Sequence, residues 1–173
     1  MAGCWFFRNF AEKQAAPGKA QARAFASVCY VRADNGDAMK QINWGFIGCG
    51  EVTEKKSGPA FNEVMGSHVV AVFSRSELKA RSYAERHGIQ RWYTDAQALV
   101  DDADVNAVYI ATPPSAHATF AIMAMRAGKP CYIEKPLAAS YEDCVRINRV
   151  SEQTGVPCFV AYYRRYLPYF KRV

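Results

Sequence analysis

The run Ile42-Asn43-Trp44-Gly45-Phe46-Ile47-Gly48-Cys49-Gly50-Glu51-Val52-Thr53 decides how the rest of the chain is read. Trp44, Phe46 and Ile47 form a short apolar stretch that ends in Gly48 and Gly50, and a segment able to start a helix follows. A first parallel strand enters a nucleotide-binding turn in this way. The need for glycine is steric: Gly48 allows the tight turn, and Gly50 lets the backbone approach a pyrophosphate whose charge then meets the free N–H groups of the next helix. Gly48, Cys49, Gly50, Glu51 and Val52 are therefore the candidate contacts for a diphosphate. Thr53 stands at the third place of G-x-G-x-x-G, where glycine or alanine is usual, so the fingerprint is imperfect. A Gly-Cys-Gly turn between any strand and helix would look similar.

Downstream of this turn, strand and helix signals alternate. Lys55 to Pro59 should delay or break the first helix before Ala60 to Met65, and Val69 to Phe73 reads as a buried parallel strand. Ser76 is placed to cap a helix through about His87, with Ala80, Ala84 and His87 on one face and Gly88 as the stop. Trp92 and Tyr93 make a short strand, Asp95 caps a helix through Val100, and Ala107 to Ala111 is the fourth strand. A helix from about Ala116 to Ala127 carries Phe120, Met123, Ala124 and Ala127 at core spacing. Cys131 to Ile133 is the fifth strand, Ser140 with Asp143 opens a helix to about Glu152, and Cys158 to Ala161 is the sixth strand. The fold class expected is α/β, a doubly wound, mostly parallel sheet of the Rossmann kind.

Composition excludes several alternatives. The chain has 173 residues, half of them hydrophobic, with a net charge of +6. That suits a folded core and argues against disorder over most of the length. Lys and Arg are spread without a basic run, so the charge reads as attraction for phosphates rather than for nucleic acid. No apolar run approaches the length of a membrane span. The six cysteines show no C-x-x-C spacing, which disfavours zinc and makes a reducing cytoplasm the expected location. Residues 1–38 lack a sustained period and read as an unstructured or misassigned extension, with Met39 as the natural start; a targeting peptide is the competing reading, weakened by Glu12, Asp34 and Asp37. The expected domain runs over 39–162, with 163–173 as the start of a truncated second domain.

In such a sheet ligands lie at the carboxyl ends of the strands, so the residues just after each strand matter most. After the second strand come Ser74 and Arg75, where an acid would normally meet a free ribose 2′-hydroxyl. An arginine can instead pair with a 2′-phosphate, which leans the cofactor toward NADP over NAD; a solvated arginine beside a helix cap is the alternative. The missing acid also counts against a methyltransferase. After the fourth strand and Ala111, Thr112 with Pro113 and Pro114 gives a rigid turn able to lie along a nicotinamide ribose, and His117 follows in the helix, where a partly exposed residue is favoured over a catalytic one. After the fifth strand, Glu134 and Lys135 precede a proline. A lysine facing the crevice beside a cationic nicotinamide could exchange a proton with a substrate hydroxyl; Glu-Lys-Pro in isolation is an ordinary surface turn. After the sixth, Tyr162 and Arg164 belong to a basic, aromatic cluster that lines the crevice or packs on another domain.

The motifs W-G-F-I-G-C-G at 44 to 50, K-S-G-P-A-F at 56 to 61, A-T-P-P-S-A-H at 111 to 117, A-G-K-P-C-Y-I-E-K-P at 127 to 136 and Y-Y-R-R at 162 to 165 together resemble the Gfo/Idh/MocA oxidoreductases, from about Gln41 to the end. The resemblance implies an NAD(P)-binding domain in which Lys135 assists proton transfer and Glu134 helps position it. Thr112 and His117 would sit near the nicotinamide end. It implies a sugar, polyol or related secondary alcohol as substrate of the full-length protein, a second α+β domain absent here, and possible homo-oligomers through that domain. A non-catalytic nucleotide-binding fragment or interaction module is the alternative.

Overall fold

Six short apolar runs become the six strands of one sheet: β1 (Ile42–Ile47), β2 (Ser67–Phe73), β3 (Arg91–Tyr93), β4 (Ala107–Ile110), β5 (Cys131–Ile133) and β6 (Cys158–Val160). The computed structural model describes residues 41–162. Expectations for residues 1–38 and for 163–173, Arg164 included, lie outside the described residues. Every pairing is parallel, and the strands lie in the order β3-β2-β1-β4-β5-β6. The chain thus winds outward from β1 to β3, then returns to β1 and winds the other way. The crevice of a doubly wound sheet lies at this reversal, between β1 and β4.

Helices α1 (Gly58–Asn62), α2 (Glu77–His87), α3 (Ala96–Asp101), α4 (Pro114–Arg126) and α5 (Tyr141–Thr154) connect the strands. Alternating strand residues feed two separate cores. Ile47, Val108, Ile110, Cys131 and Ile133 face one side with Leu99, Ala121, Met125 and Ile147. Trp44, Phe46, Tyr109 and Tyr132 face the other, with Phe61 and Tyr83. The second core is aromatic, with ring centroids from 4.8 Å (Phe61 to Tyr109) to 6.4 Å (Phe61 to Tyr132). Among the described residues no helix is long and apolar enough to cross a membrane.

Several elements differ from the sequence expectation. The first α-helix ends at Asn62 rather than Met65, because the chain turns at Gly66 to enter β2, which already begins at Ser67. Ser67 joins the sheet there because its hydroxyl accepts from the buried Trp44 indole at 3.0 Å. Helix α4 starts earlier than expected, at Pro114, and buries His117, Ala118, Ala121, Ala124 and Met125 completely. Phe120 and Met123 are only half-buried and Ala127 is exposed. The small residues let α4 lie close on the sheet, so its buried stripe sits one position away from that drawn through the large residues. In α2 the buried face is Ala80, Tyr83 and Ala84, with His87 half-buried. Asp95 and Ser140 accept cap bonds from Gln97 N and Asp143 N, whereas Ser76 occupies its cap position without a side-chain cap bond.

Candidate dinucleotide site

The carboxyl edge of the sheet is continued by one hydrogen bond beyond almost every strand. Ser74 N donates to Tyr93 O (3.1 Å), Gly48 N to Phe73 O (3.0 Å), Ala111 N to Ile47 O (3.0 Å), Glu134 N to Ile110 O (2.9 Å) and Ala161 N to Ile133 O (2.8 Å). The residues singled out after each strand are thereby drawn into one row.

At the glycine turn, Gly48 has φ +122°, and a Cβ there would sit 2.8 Å from Ala111 O. Only glycine fits this backbone. A Cβ on Gly50 would meet nothing within 4 Å, so the space above that residue is open. Thr53, in the irregular third position, is fully buried, and its hydroxyl lies 2.9 Å from Gly50 O and 3.2 Å from Gly48 O. It can donate across the turn, which is how a threonine holds a shape that glycine or alanine usually occupies. The interruption expected at Lys55 to Pro59 is there, and the α-helix begins only at Gly58. Val52–Lys56 form a five-residue π-helical turn, closed by Ser57 N donating to Val52 O at 2.9 Å. The chain at Gly58 comes so close that a Cβ would lie 1.8 Å from Thr53 O, and the Tyr83 hydroxyl donates to the same oxygen at 2.9 Å. A glycine and a buried tyrosine thus impose the wider turn.

Glu54, within that turn, pairs with Arg86 (2.9 Å) and His87 (3.1 Å) of α2. The Arg86 hydrogen bond is the main cause holding its carboxyl below the ordinary value. Cys49 is half-buried and contacts Phe73 O at 3.6 Å. Burial, followed by the charge of Glu54, pushes its thiol up to about 12, so it is a neutral thiol at physiological pH. Glu51 is exposed and Val52 half-buried. After β2, Ser74 is half-buried and Arg75 exposed, without an ion pair among the described residues.

On the other side of the reversal, Ala111 and Thr112 are half-buried and Pro113 is exposed. His117 is not the partly exposed residue expected: it is 1% exposed. Its Nε2 lies 2.8 Å from Thr112 O, and its Nδ1 lies 3.0 Å from Pro136 O and 3.3 Å from Leu137 O. It therefore joins the turn after β4 to the turn after β5. Lys135 is exposed, and the Lys135–Pro136 peptide is cis. Glu134 accepts from the Tyr109 hydroxyl at 2.5 Å and from Lys135 N at 3.3 Å. Tyr109 is held far above its ordinary range by burial and by the Glu134 charge. Tyr162, beyond β6, is exposed.

Sequence reasoning missed Tyr109, Ser57 and Tyr83. Tyr109 carried one signal: a hydroxyl inside the aliphatic run Ala107-Val108-Tyr109-Ile110, whose register partner is Tyr132, two residues before Glu134 on the same face. Two features fit a dinucleotide on this edge. A Cβ on Gly50 would meet no atom of the described residues within 4 Å beyond its chain neighbours, and the Thr112 hydroxyl oxygen is buried with no hydrogen-bond partner among the described residues.

The family model described as an oxidoreductase family with an NAD-binding Rossmann fold matches residues 42–162. "Oxidoreductase P35" of Formosa agariphila is 44% identical over 133 residues, 77% of this chain and 41% of that protein. "Inositol 2-dehydrogenase 2" of Saccharopolyspora erythraea is 36% identical over 128 residues, 73% of this chain and 38% of that protein. The chain spans about two fifths of the length of these relatives. Among solved structures, the 3-ketoreductase KijD10 of Actinomadura kijaniata, in complex with NADP and TDP-benzene, superimposes with a TM-score of 0.66 at 30% identity, over 70% of this chain and 37% of that one. Strand order, glycine turn and family match agree, and this chain belongs to the Gfo/Idh/MocA oxidoreductase family.

Proposed function

We propose that this chain is the cofactor-binding part of an NAD(P)-dependent oxidoreductase acting on a secondary alcohol of a sugar, polyol or related compound. The observation that carries the reading is the row of residues along the carboxyl edge, with open space at Gly50 and a buried, unpartnered hydroxyl at Thr112. Gly48 to Val52 would hold the diphosphate through main-chain N–H groups. Arg75, exposed after β2, would meet a ribose 2′-phosphate and favour NADP over NAD. Ala111, Thr112 and Pro113 would line the nicotinamide half. Hydride chemistry is what a nicotinamide supplies when bound.

Lys135, at the end of β5, exchanges a proton with the substrate hydroxyl, and Glu134 orients it. His117 is turned toward backbone carbonyls with both ring nitrogens, so its part is to join two turns of the site. The relatives support the substrate class by name: one is an inositol dehydrogenase and one a 3-ketoreductase. Calorimetric titration of the purified chain with NADPH and NADH tests the reading. Saturable binding to both is expected, tighter for NADPH, with the preference lost in Arg75→Ala. No saturable heat with either dinucleotide would overturn it.

A further inference from the structure

Tyr109 is 0% exposed, and its ring is packed against Phe46 (5.0 Å between centroids), Phe61 (4.8 Å) and Tyr132 (5.8 Å). The hydroxyl at its tip therefore has a fixed position. It has one hydrogen to give and two neighbours, Glu134 Oε1 at 2.5 Å and Ser57 Oγ at 2.7 Å. An ionised carboxylate only accepts, so the tyrosine hydrogen goes to Glu134. Ser57 then donates to the tyrosine oxygen; its other acceptor, Val52 O at 3.1 Å, already receives Ser57 N at 2.9 Å. The bonds run in one direction, from Ser57 through Tyr109 to Glu134. The second carboxylate oxygen accepts from the main-chain N–H of Lys135 at 3.3 Å.

We propose that Tyr109 is a positioning residue: its hydroxyl, backed by Ser57, fixes the Glu134 carboxylate and through it the main chain of Lys135. The proposal rests on the assignment of Lys135 to proton exchange made above. The turn Glu134 to Leu137 is held from both faces of the sheet, by Tyr109 on one and by the His117 ring on the other. Of these two connections, that of Tyr109 passes through the Glu134 carboxylate to the lysine. A phenylalanine would fill the same aromatic slot, so what the hydroxyl adds is the charge-assisted bond to the carboxylate. The hydroxyl is thus best accounted for by what it does to the turn.

Residue-resolved amide hydrogen exchange in Tyr109→Phe, Ser57→Ala and Glu134→Ala, alone and combined, provides the test. Tyr109→Phe should speed exchange at Lys135 N–H about tenfold while leaving Glu134 N–H, bonded to Ile110 O, within about twofold. In a Glu134→Ala background the same substitution should add nothing, because the connection is already cut. Titrations should show NADPH binding weakened about fivefold, and binding of 2′-phospho-ADP-ribose, which lacks the nicotinamide, unchanged. Should Tyr109→Phe fail to fold, Ser57→Ala gives the same pattern at smaller amplitude. Unchanged exchange at Lys135, equal acceleration at both amides, additive effects in the double variant, or equal loss for both ligands would overturn the proposal. A wild-type chain that binds NADPH while the exchange pattern fails would leave the cofactor reading intact and remove only this one.

Discussion

The two halves of the sheet's carboxyl edge are held together differently. Around β1 and β2, the glycine turn and the π-helical turn are held by main-chain bonds and the buried Thr53 and Tyr83 hydroxyls, and on their outer side by ion pairs that water reaches, with Arg86 52% and Glu54 31% exposed. Around β4 and β5, the turns are held by side chains that water does not reach, Tyr109 at 0% and His117 at 1% exposure. Where water competes, an ion pair contributes little and main-chain geometry carries the shape. Where water is excluded, a single hydroxyl or ring nitrogen becomes a high-stakes contact. The difference matches the proposed tasks: a cradle for a diphosphate needs open space, and a lysine that exchanges a proton needs one fixed presentation.

The sharpest way to break this comparison is to add one methyl group at each of two glycines on the open half. Gly58→Ala drives a Cβ into Thr53 O, a main-chain atom 1.8 Å away that cannot swing aside. It should destabilise the fold by about 3 kcal/mol in urea unfolding. Gly50→Ala meets no protein atom and should stay within about 0.5 kcal/mol of wild type, yet lose NADPH binding by at least about tenfold as the methyl occupies the cradle. A well-folded Gly58→Ala protein would show that the main chain does not carry the shape there. On the closed half, His117→Leu removes the buried ring N–H between Thr112 O and Pro136 O, and should cost about 2 kcal/mol. His117→Gln, whose side-chain amide can still donate to one of these carbonyls, should recover about half of that loss.

Much of the fold was legible because it depends on period and punctuation. Apolar runs with glycine, proline and capping residues between them located all six strands, and the carboxyl-edge rule drew attention to Gly48, Arg75, Thr112 and Glu134. What escaped was three-dimensional crowding. Gly58 reads as a helix breaker, but it is glycine because Thr53 O comes to it from five residues back. Tyr109 reads as core, and its ring is core; only its register with Tyr132 brings the hydroxyl to Glu134. His117 reads as half exposed because the carbonyls its Nδ1 faces, Pro136 O and Leu137 O, come from a turn about twenty residues away. Local sequence records what a residue can do, whereas the partner is supplied by the sheet.

The smallest expected effect sharpens the comparison from the other side. The Arg86 hydrogen bond, and then His87, lower the Glu54 carboxyl below its ordinary value of 4.5. A carboxyl with a lowered folded value stabilises the fold above its unfolded value, and that contribution disappears as pH falls through the folded value. Glu54→Gln should therefore cost under about 1 kcal/mol near neutral pH, discounted for solvent screening around a pair this exposed. The gap between variant and wild type should narrow below about pH 4.5 and also in about 1 M salt. Urea midpoints measured against pH at two salt concentrations would read both trends. Tyr109→Phe, measured alongside, should respond less to salt, because the hydroxyl is carried by a ring buried in the aromatic core. A Glu54 effect that were large and indifferent to salt would mean that water is excluded from the π-helical turn as well, and the two halves of the edge would then be held in the same way.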